Sequence, residues 1–263
     1  MRVSRVLTSV PASVLQYLAV IGLIVYSAMN GASSMGYNWQ WYRIPKYFYR
    51  FTDDGFEWGE MAIGLVATVG LSGTAFSLAV VMGLLIALLR LSGLVVGRAV
   101  AVGFLEIVRN TPLLVLIYLF YYVLGPIFGL NRYSASILCL GVYHAALISE
   151  IFRAGINAVV IGQWEAAESI GMSRGQTYWY IIFPQSIKIM LPPLTGEMVH
   201  IIKSSAIVSV IAVAELTTIG RNIISDTYMS FEIWFTIAAV YMVVTLTLSI
   251  FVSHLEKRYA VVD

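Results

Sequence analysis

Two groups of residues in this chain have the types and spacing to do chemistry. The first is a polar interval between apolar stretches, Gly162-Gln163-Trp164-Glu165-Ala166-Ala167-Glu168-Ser169-Ile170-Gly171. Alanine and glutamate favour a helix, predicted over Gln163 to Ile170. Gly171 follows where that helix must end and the chain turn, a place that suits positive φ. Ala166 and Ala167 would let a second surface approach closely, while Glu165 and Glu168 offer carboxylates to an arginine or a backbone donor. A slender charged helix of this kind can be a lever seated in another protein's groove. The same composition also describes an ordinary solvated surface helix. The second group is a set of ionisable residues in or near apolar runs: Glu106, Arg109, Glu150, Glu197, Lys203 and Glu215.

The whole chain sets the terms for both groups. Of its 263 residues 59% are hydrophobic and 11% charged, against about 45–50% and about 25% in soluble domains. Mean hydropathy is +0.84. There are too few charges to cover a water-facing surface, so lipid must cover much of it. The formal net charge of +2, without a basic run interleaved with aromatics, gives no reason to expect nucleic acid. The single cysteine, Cys139, excludes an intrachain disulfide and a cysteine-built metal site, and reads as a buried core residue.

A bilayer core needs about 20 apolar residues in a helix. Stretches that meet this run from about 13–30, 61–89, 99–125, 134–157, 191–216 and 233–254. The expectation is an all-α, polytopic transmembrane bundle of about six spans. The fifth is the weakest, because Glu197, His200 and Lys203 fall within it. The first resembles a secretory leader behind Arg2 and Arg5. It is long for one, and a retained signal-anchor helix is the favoured reading. With the N- and C-termini inside, Arg2, Arg5, Arg90, Arg98, Arg153, Arg174, Lys188, Lys257 and Arg258 are cytoplasmic, nine cations in all. Five (Arg43, Lys46, Arg50, Arg132 and Arg221) are outside, a bias that fits the positive-inside rule. The outside loop from Gly31 to Glu60 carries Trp39, Trp41, Tyr42, Tyr47, Phe48, Tyr49 and Trp58, which read as an interfacial belt. Stacking on a ligand is the alternative.

A charge inside a bilayer costs on the order of 2.5–3.5 kcal/mol on insertion scales. Glu106, Arg109, Glu150, Glu197, Lys203 and Ser204 are therefore candidates for lining a polar pathway. Interhelical ion pairing is the competing role. Glu106 with Arg109, and Glu150 with Arg153, stand three apart on one helix face and favour pairing. Lys203 and Glu197 are balanced between the two roles. His144 and His200 read as helix-packing residues rather than ligands, and no metal set surrounds them.

One pattern is more specific. Glu165-Ala166-Ala167, then Gly171, Ile181 and Phe183-Pro184 at their spacing, resembles the EAA motif of ABC importer permeases, with Phe-Pro for the usual Leu-Pro. Gly162-Gln163 before it, and Pro184-Gln185 and Leu191-Pro192-Pro193 after it, resemble the polar-amino-acid branch. So do Glu106-Ile107-Val108-Arg109-Asn110-Thr111-Pro112, Ser149-Glu150-Ile151-Phe152-Arg153-Ala154-Gly155-Ile156 and Lys203-Ser204-Ser205-Ala206. The resemblance implies a type I importer permease core over 60–258, with a coupling loop at 158–186, behind an N-terminal helix and aromatic loop at 1–59. It implies a bacterial inner-membrane protein that moves a small polar solute, most simply an amino acid. It also implies two ATP-binding-cassette subunits, a second permease copy (identical or homologous) and an extracytoplasmic substrate-binding protein. Gly162, Gln163, Glu165, Ala166, Ala167 and Gly171 would be the ATPase-coupling residues. Glu165 would anchor the lever, the alanines permit docking and Gly171 set the angle.

No phosphate-binding G-x-x-x-x-G-K-[ST] loop, catalytic triad or H-E-x-x-H motif stands in the sequence. ATP and Mg are expected on the partner ATPase, and no catalytic residue, cofactor or metal is expected here. The rival transport reading is an ion-coupled secondary transporter, which predicts inverted repeats with broken helices; none is evident. An intramembrane enzyme lacks its catalytic set.

Overall fold

The structure, a computed structural model, describes residues 10–53 and 55–259, and the side chains of all of these but 10–13, 28 and 255–259. Arg2, Arg5 and Asp54, and the side chains of Lys257 and Arg258, lie outside the described residues. The chain divides into two compact units, Met1–Trp41 and Tyr42–Asp263.

The first unit is built on α1 (Val10–Ser34), a long helix with exposed apolar side chains all along it, including Leu15, Leu18, Leu23 and Ile24. Near its end the Ser33 and Ser34 hydroxyls donate back to the carbonyls of Asn30 and Gly31. The second unit opens with short 3-10 turns and a hairpin of β1 (Tyr49–Thr52) and β2 (Gly55–Trp58), paired antiparallel. Residues 42–59, expected with the N-terminal helix, group instead with the helices that follow. Tyr47 is buried in a cluster with Met61, Leu216 and Ile233, the Gly59 amide donates to the Phe48 carbonyl at 2.9 Å, and Arg50 pairs with Glu60 at 3.0 Å.

Next comes α2 (Glu60–Leu91), which buries Gly64, Thr68, Ser72, Ala75, Ala79, Gly83 and Ala87 along one stripe. Between helices in lipid there is no hydrophobic drive, so small residues that let backbones approach take its place. The facing helix is α6 (Arg132–Asn157), which buries Ala135, Ser136, Cys139, Gly141, Ala145 and Ser149. Its start is fixed by Asn131, whose side chain accepts from the Ser134 amide at 2.8 Å.

Between α2 and α6 the expected span 99–125 is broken. Helix α3 (Val95–Arg109) and the segment α4 (Leu113–Tyr118) to α5 (Gly125–Phe128) meet at 104°. The break falls at Asn110-Thr111-Pro112, where Pro112 cannot supply the amide that a continuing helix needs. Arg90, at the end of α2, and Arg109, at the end of α3, both reach the Glu150 carboxylate. Both ends of the Leu91–Arg109 segment therefore lie at one depth, and α3 runs along the bundle's end rather than through it. It buries Ala101, Leu105 and Val108, exposes Val96, Val100 and Ile107 on a second side, and carries Arg98, Glu106 and Arg109 on a third. That three-sided pattern suits a helix lying between bundle, lipid and water. The crossing is made by 113–128: Glu150 and Arg132 are 18 residues apart on α6, roughly 27 Å by helix rise, and Arg132 Nε donates to Tyr121 at 3.2 Å.

After α6 come α7 (Ile161–Ser169), the short α8 (Arg174–Gln176) and α9 (Phe183–Ser205), the last two joined by a π-turn. A 3-10 turn extends α9 to Ile211, and Ala212 in the left-handed region (φ 54°) ends it. The fifth expected span, 191–216, thus lies earlier, within 174–211. Helices α10 (Leu216–Thr227) and α11 (Ser230–Tyr259) complete the unit. Five described helices are long and apolar enough to cross a membrane, and the bent pair supplies a sixth crossing.

Candidate functional site: an exposed helix ridge and two polar clusters

Helix α7 hangs from the end of α6 and is closed by Gly171. That glycine has φ +76°, and two hydrogen bonds complete the turn: its amide to the Glu168 carbonyl at 2.9 Å and the Met172 amide to the Ala167 carbonyl at 3.0 Å. This is the glycine-terminated stop expected from the sequence. The next segment is fixed by a reciprocal cap, Ser173 accepting from the Gln176 amide and Gln176 Oε1 from the Ser173 amide.

The two faces of α7 differ sharply. Inward, Trp164 meets Tyr178 edge-on at 5.1 Å between ring centres, and Ala167 is 2% exposed. Ala167 therefore packs on its own chain, which corrects the expectation that both alanines admit a partner. Outward lie Gly162, Glu165, Ala166 and Ser169, at spacings of three and four on one face and all exposed. The Ser169 hydroxyl is spent on the Glu165 carbonyl at 2.8 Å. What remains is a ridge almost free of side chains with one carboxylate upon it, flanked by exposed Val160, Ile161 and Ile170. Gln163 lies beside the ridge, its Oε1 accepting from Gln185 Nε2 at 3.4 Å.

A few turns above α7, three guanidinium groups converge on Glu150. Arg90 and Arg153 approach at 2.5 and 2.8 Å, and Arg109 at 3.6 Å. The pair of Glu150 with Arg153 follows from spacing; that of Glu106 with Arg109 does not form among the described ion pairs. Glu106 accepts instead from the Asn110 side chain at 3.0 Å. Glu150 and Arg109 thus belong to a knot that ties α2, α3 and α6 together at the α7 end. Arg90, which completes it, lies 60 residues from Glu150 and was beyond the reach of local spacing.

A second cluster lies near the middle of α6 and α9. His144 Nδ1 is 2.9 Å from Glu197 Oε2. His144 is buried, and its Nε2 has no hydrogen-bond partner among the described residues. His200 stands 3.8 Å from the other Glu197 oxygen with a side chain 64% exposed, so it does not pack as expected. Along α9, Pro193, Gly196, His200 and Lys203 are all exposed on one stripe. Lys203 has no ion pair among the described residues, and Ser204 is half-buried beside it. Glu215 has a structural role: it is fully buried and caps α10, accepting from the Thr217 and Thr218 amides and from the Tyr241 hydroxyl.

Residues 79–261 match the family described as "Binding-protein-dependent transport system inner membrane component". The chain belongs to this family. It is the membrane-spanning permease subunit of an ABC importer. Among curated relatives, the probable glutamine ABC transporter permease GlnM of Bacillus subtilis (strain 168) is 36% identical over 196 residues, 74% of this chain and 88% of that one. The glutamine transport system permease GlnP of Escherichia coli (strain K12) is 33% identical over 196 residues, 73% and 87% of the two chains. A crystal structure of an amino acid ABC transporter with histidines superposes with a TM-score of 0.70 at 42% identity, covering 76% of this permease and 94% of that chain. The inward-facing MetNI methionine ABC transporter, at 16% identity and a TM-score of 0.68, shares the fold. Family membership sets aside the secondary-transporter and enzyme alternatives. All of α7, the Glu150 knot and the α9 stripe lie within the matched residues; α1 and the hairpin lie outside them.

Proposed function

We propose that this permease imports an amino acid, working with two ATP-binding-cassette subunits, a second permease copy and an extracytoplasmic binding protein. The α7 end faces the cytoplasm in this reading, as do both termini, and ATP and Mg are held by the partner ATPases. The observation that carries the reading is the outward ridge of α7. Gly162 and Ala166 leave room for another backbone, Glu165 presents a carboxylate for an arginine or amide donor, and Gly171 fixes the angle at which the ridge leaves. Closing of the ATPase pair moves the ridge and, through the short α6–α7 connection, shifts the bundle between inward- and outward-open states.

The α9 stripe supports the pathway role. Pro192 and Pro193 lie inside the helix, so the Lys188 and Ile189 carbonyls lose their helical amide partners. Exposed His200 and Lys203 follow on the same side. Such a face is costly against lipid and belongs against a second permease or water. In this reading Lys203 and Ser204 meet a substrate carboxylate, and Glu197, whose carboxylate His144 contacts at 2.9 Å, an ammonium group. Glu150 and Arg109 are assigned to the knot and Glu106 to its contact with Asn110, and none of the three to the pathway.

The test is reconstitution with the ATPase, the binding protein and any paired permease encoded beside it. ATP-dependent amino-acid uptake is expected to fall to background in Glu165→Lys while the permease still inserts and remains monodisperse. Unchanged uptake in that variant, or uptake by the permease alone under an ion gradient, contradicts the proposal.

A further inference from the structure

The hairpin outside the family match has a two-sided design that the permease function does not use. Alternate residues of a strand face opposite sides, and the register pairs Tyr49 with Trp58 and Phe51 with Phe56. All four aromatic rings therefore share one face. They touch in sequence, Tyr49 to Phe51 at 6.2 Å, Phe51 to Phe56 at 5.7 Å and Phe56 to Trp58 at 5.1 Å between centres. Nothing described covers them, and they are 47%, 79%, 51% and 66% exposed in chain order. The other face pairs Arg50 with Glu57, and Arg50 also reaches Glu60. The two-stranded sheet thus has a charged side and an uncovered aromatic side.

The aromatic side continues onto a membrane helix. Tyr49 and Trp58 share an apolar groove of about 500 Å³ with Ala62, Ile63, Leu65 and Val66 of α2. Ile63 and Val66 are exposed and lie on the outward stripe of α2 that runs on through Val81 and Leu85, opposite its buried small residues. A helix that crosses the bilayer presents such a stripe to acyl chains. The ion pair to Glu60 and the close fit of Gly59 against the Tyr47 carbonyl hold the hairpin to that helix end.

We infer that the hairpin is a lipid-binding element: its aromatic face lies in the headgroup–acyl boundary of the leaflet opposite α7, and the groove beside Trp58 holds a phospholipid acyl chain. Tryptophan and tyrosine favour that boundary, where an apolar ring body meets a wet edge. Charged Arg50 and Glu57 then face water. The element fixes the depth of the far end of α2, the helix whose other end enters the Glu150 knot.

The test uses full-length protein in nanodiscs of phosphatidylethanolamine and phosphatidylglycerol. A variant keeping only Trp58, with Trp39, Trp41, Trp164, Trp179 and Trp234 changed to Phe, is read with lipids brominated near the headgroup or deep in the chain, and with aqueous iodide. Bromolipid is expected to remove about half of the Trp58 emission, more for shallow than for deep bromines, as for a ring at the interface, with little iodide quenching. Phe51→Ser with Phe56→Ser should reverse the two, since neither ring is buried. Photoreactive acyl chains should also label residues 49–66 of the unmodified protein, a reading independent of the tryptophan changes. Free iodide access without bromolipid quenching overturns the inference. So does protection from both quenchers, or protection that appears only when the binding protein is added, because a protein then covers the face.

Discussion

Glu150 carries three ion pairs, and its removal should be felt more widely than its position suggests. In Glu150→Gln the Arg90 guanidinium, with a side chain 20% exposed, keeps its burial and loses its charge partner. Breaking a well-buried pair costs about 3–5 kcal/mol and an exposed one about 0–1; this half-buried knot should cost about 1–3 kcal/mol. The expected result is a lower unfolding midpoint in detergent and uncoupled ATP hydrolysis in the assembled transporter, with binding-protein affinity unchanged. An unchanged midpoint would mean that the knot is not a structural tie. The contrast between Glu150–Arg153, read directly from helical spacing, and Glu150–Arg90, invisible until α2 and α6 pack, marks how far residue types alone can be followed. Spacing predicts partners on one helix. It cannot predict them across helices, and for Glu106 the Asn110 amide took the place that spacing gave to Arg109.

At the scale of elements, α7 and its stop were legible because local rules set them: alanine and glutamate for the helix, glycine for the left-handed turn. Gly171→Ala forces a Cβ into φ +76°, at a cost of about 1–2 kcal/mol. Uptake is expected to fall in Gly171→Ala and to recover in part in Gly171→Asn, since asparagine tolerates that region; equal activity of both with the parent would remove the angle-setting role. The contact of α2 with α6 gives a sharper stability test. A Cβ at Gly83 would lie 2.8 Å from Ile148 Cγ2 and 3.1 Å from the Ala145 carbonyl. Gly83→Leu should destabilise by about 1–3 kcal/mol, the usual cost of overpacking, measured as loss of the monodisperse peak on heating, while Gly73→Leu, with open space around it, should be neutral. Two elements depart from hydropathy: α9 starts earlier than residue 191, and α3 does not continue into the span expected over 99–125. Its apolar residues score as part of a span because hydropathy counts residues and ignores direction. The Pro112 break and the return of Arg109 to the depth of Arg90 turn the chain along the surface.

For the whole molecule, composition was enough to require a bilayer, and four ordered motifs to point to the importer family that residues 79–261 belong to. What sequence could not divide was the set of embedded charges. Folding separates them into an ion-paired tie at the α7 end, an N-cap at Glu215 and a polar stripe on α9 whose Lys203 has no ion pair among the described residues. In the proposed mechanism that stripe is joined to a motor through one surface, the ridge of Gly162, Glu165, Ala166 and Ser169. Because Cys139 is the single cysteine and is buried, one introduced thiol can report on it. Ala166→Cys, labelled with a short reagent that is thiol-reactive at one end and photoreactive at the other and assembled with the ATPase, should join on illumination to the ATP-binding subunit, with a yield that changes when nucleotide binds. Ala167→Cys, facing inward, should not. Cross-linking at Ala167 and not at Ala166, or at neither while transport is intact, would contradict the claim that this ridge is where the ATPase takes hold.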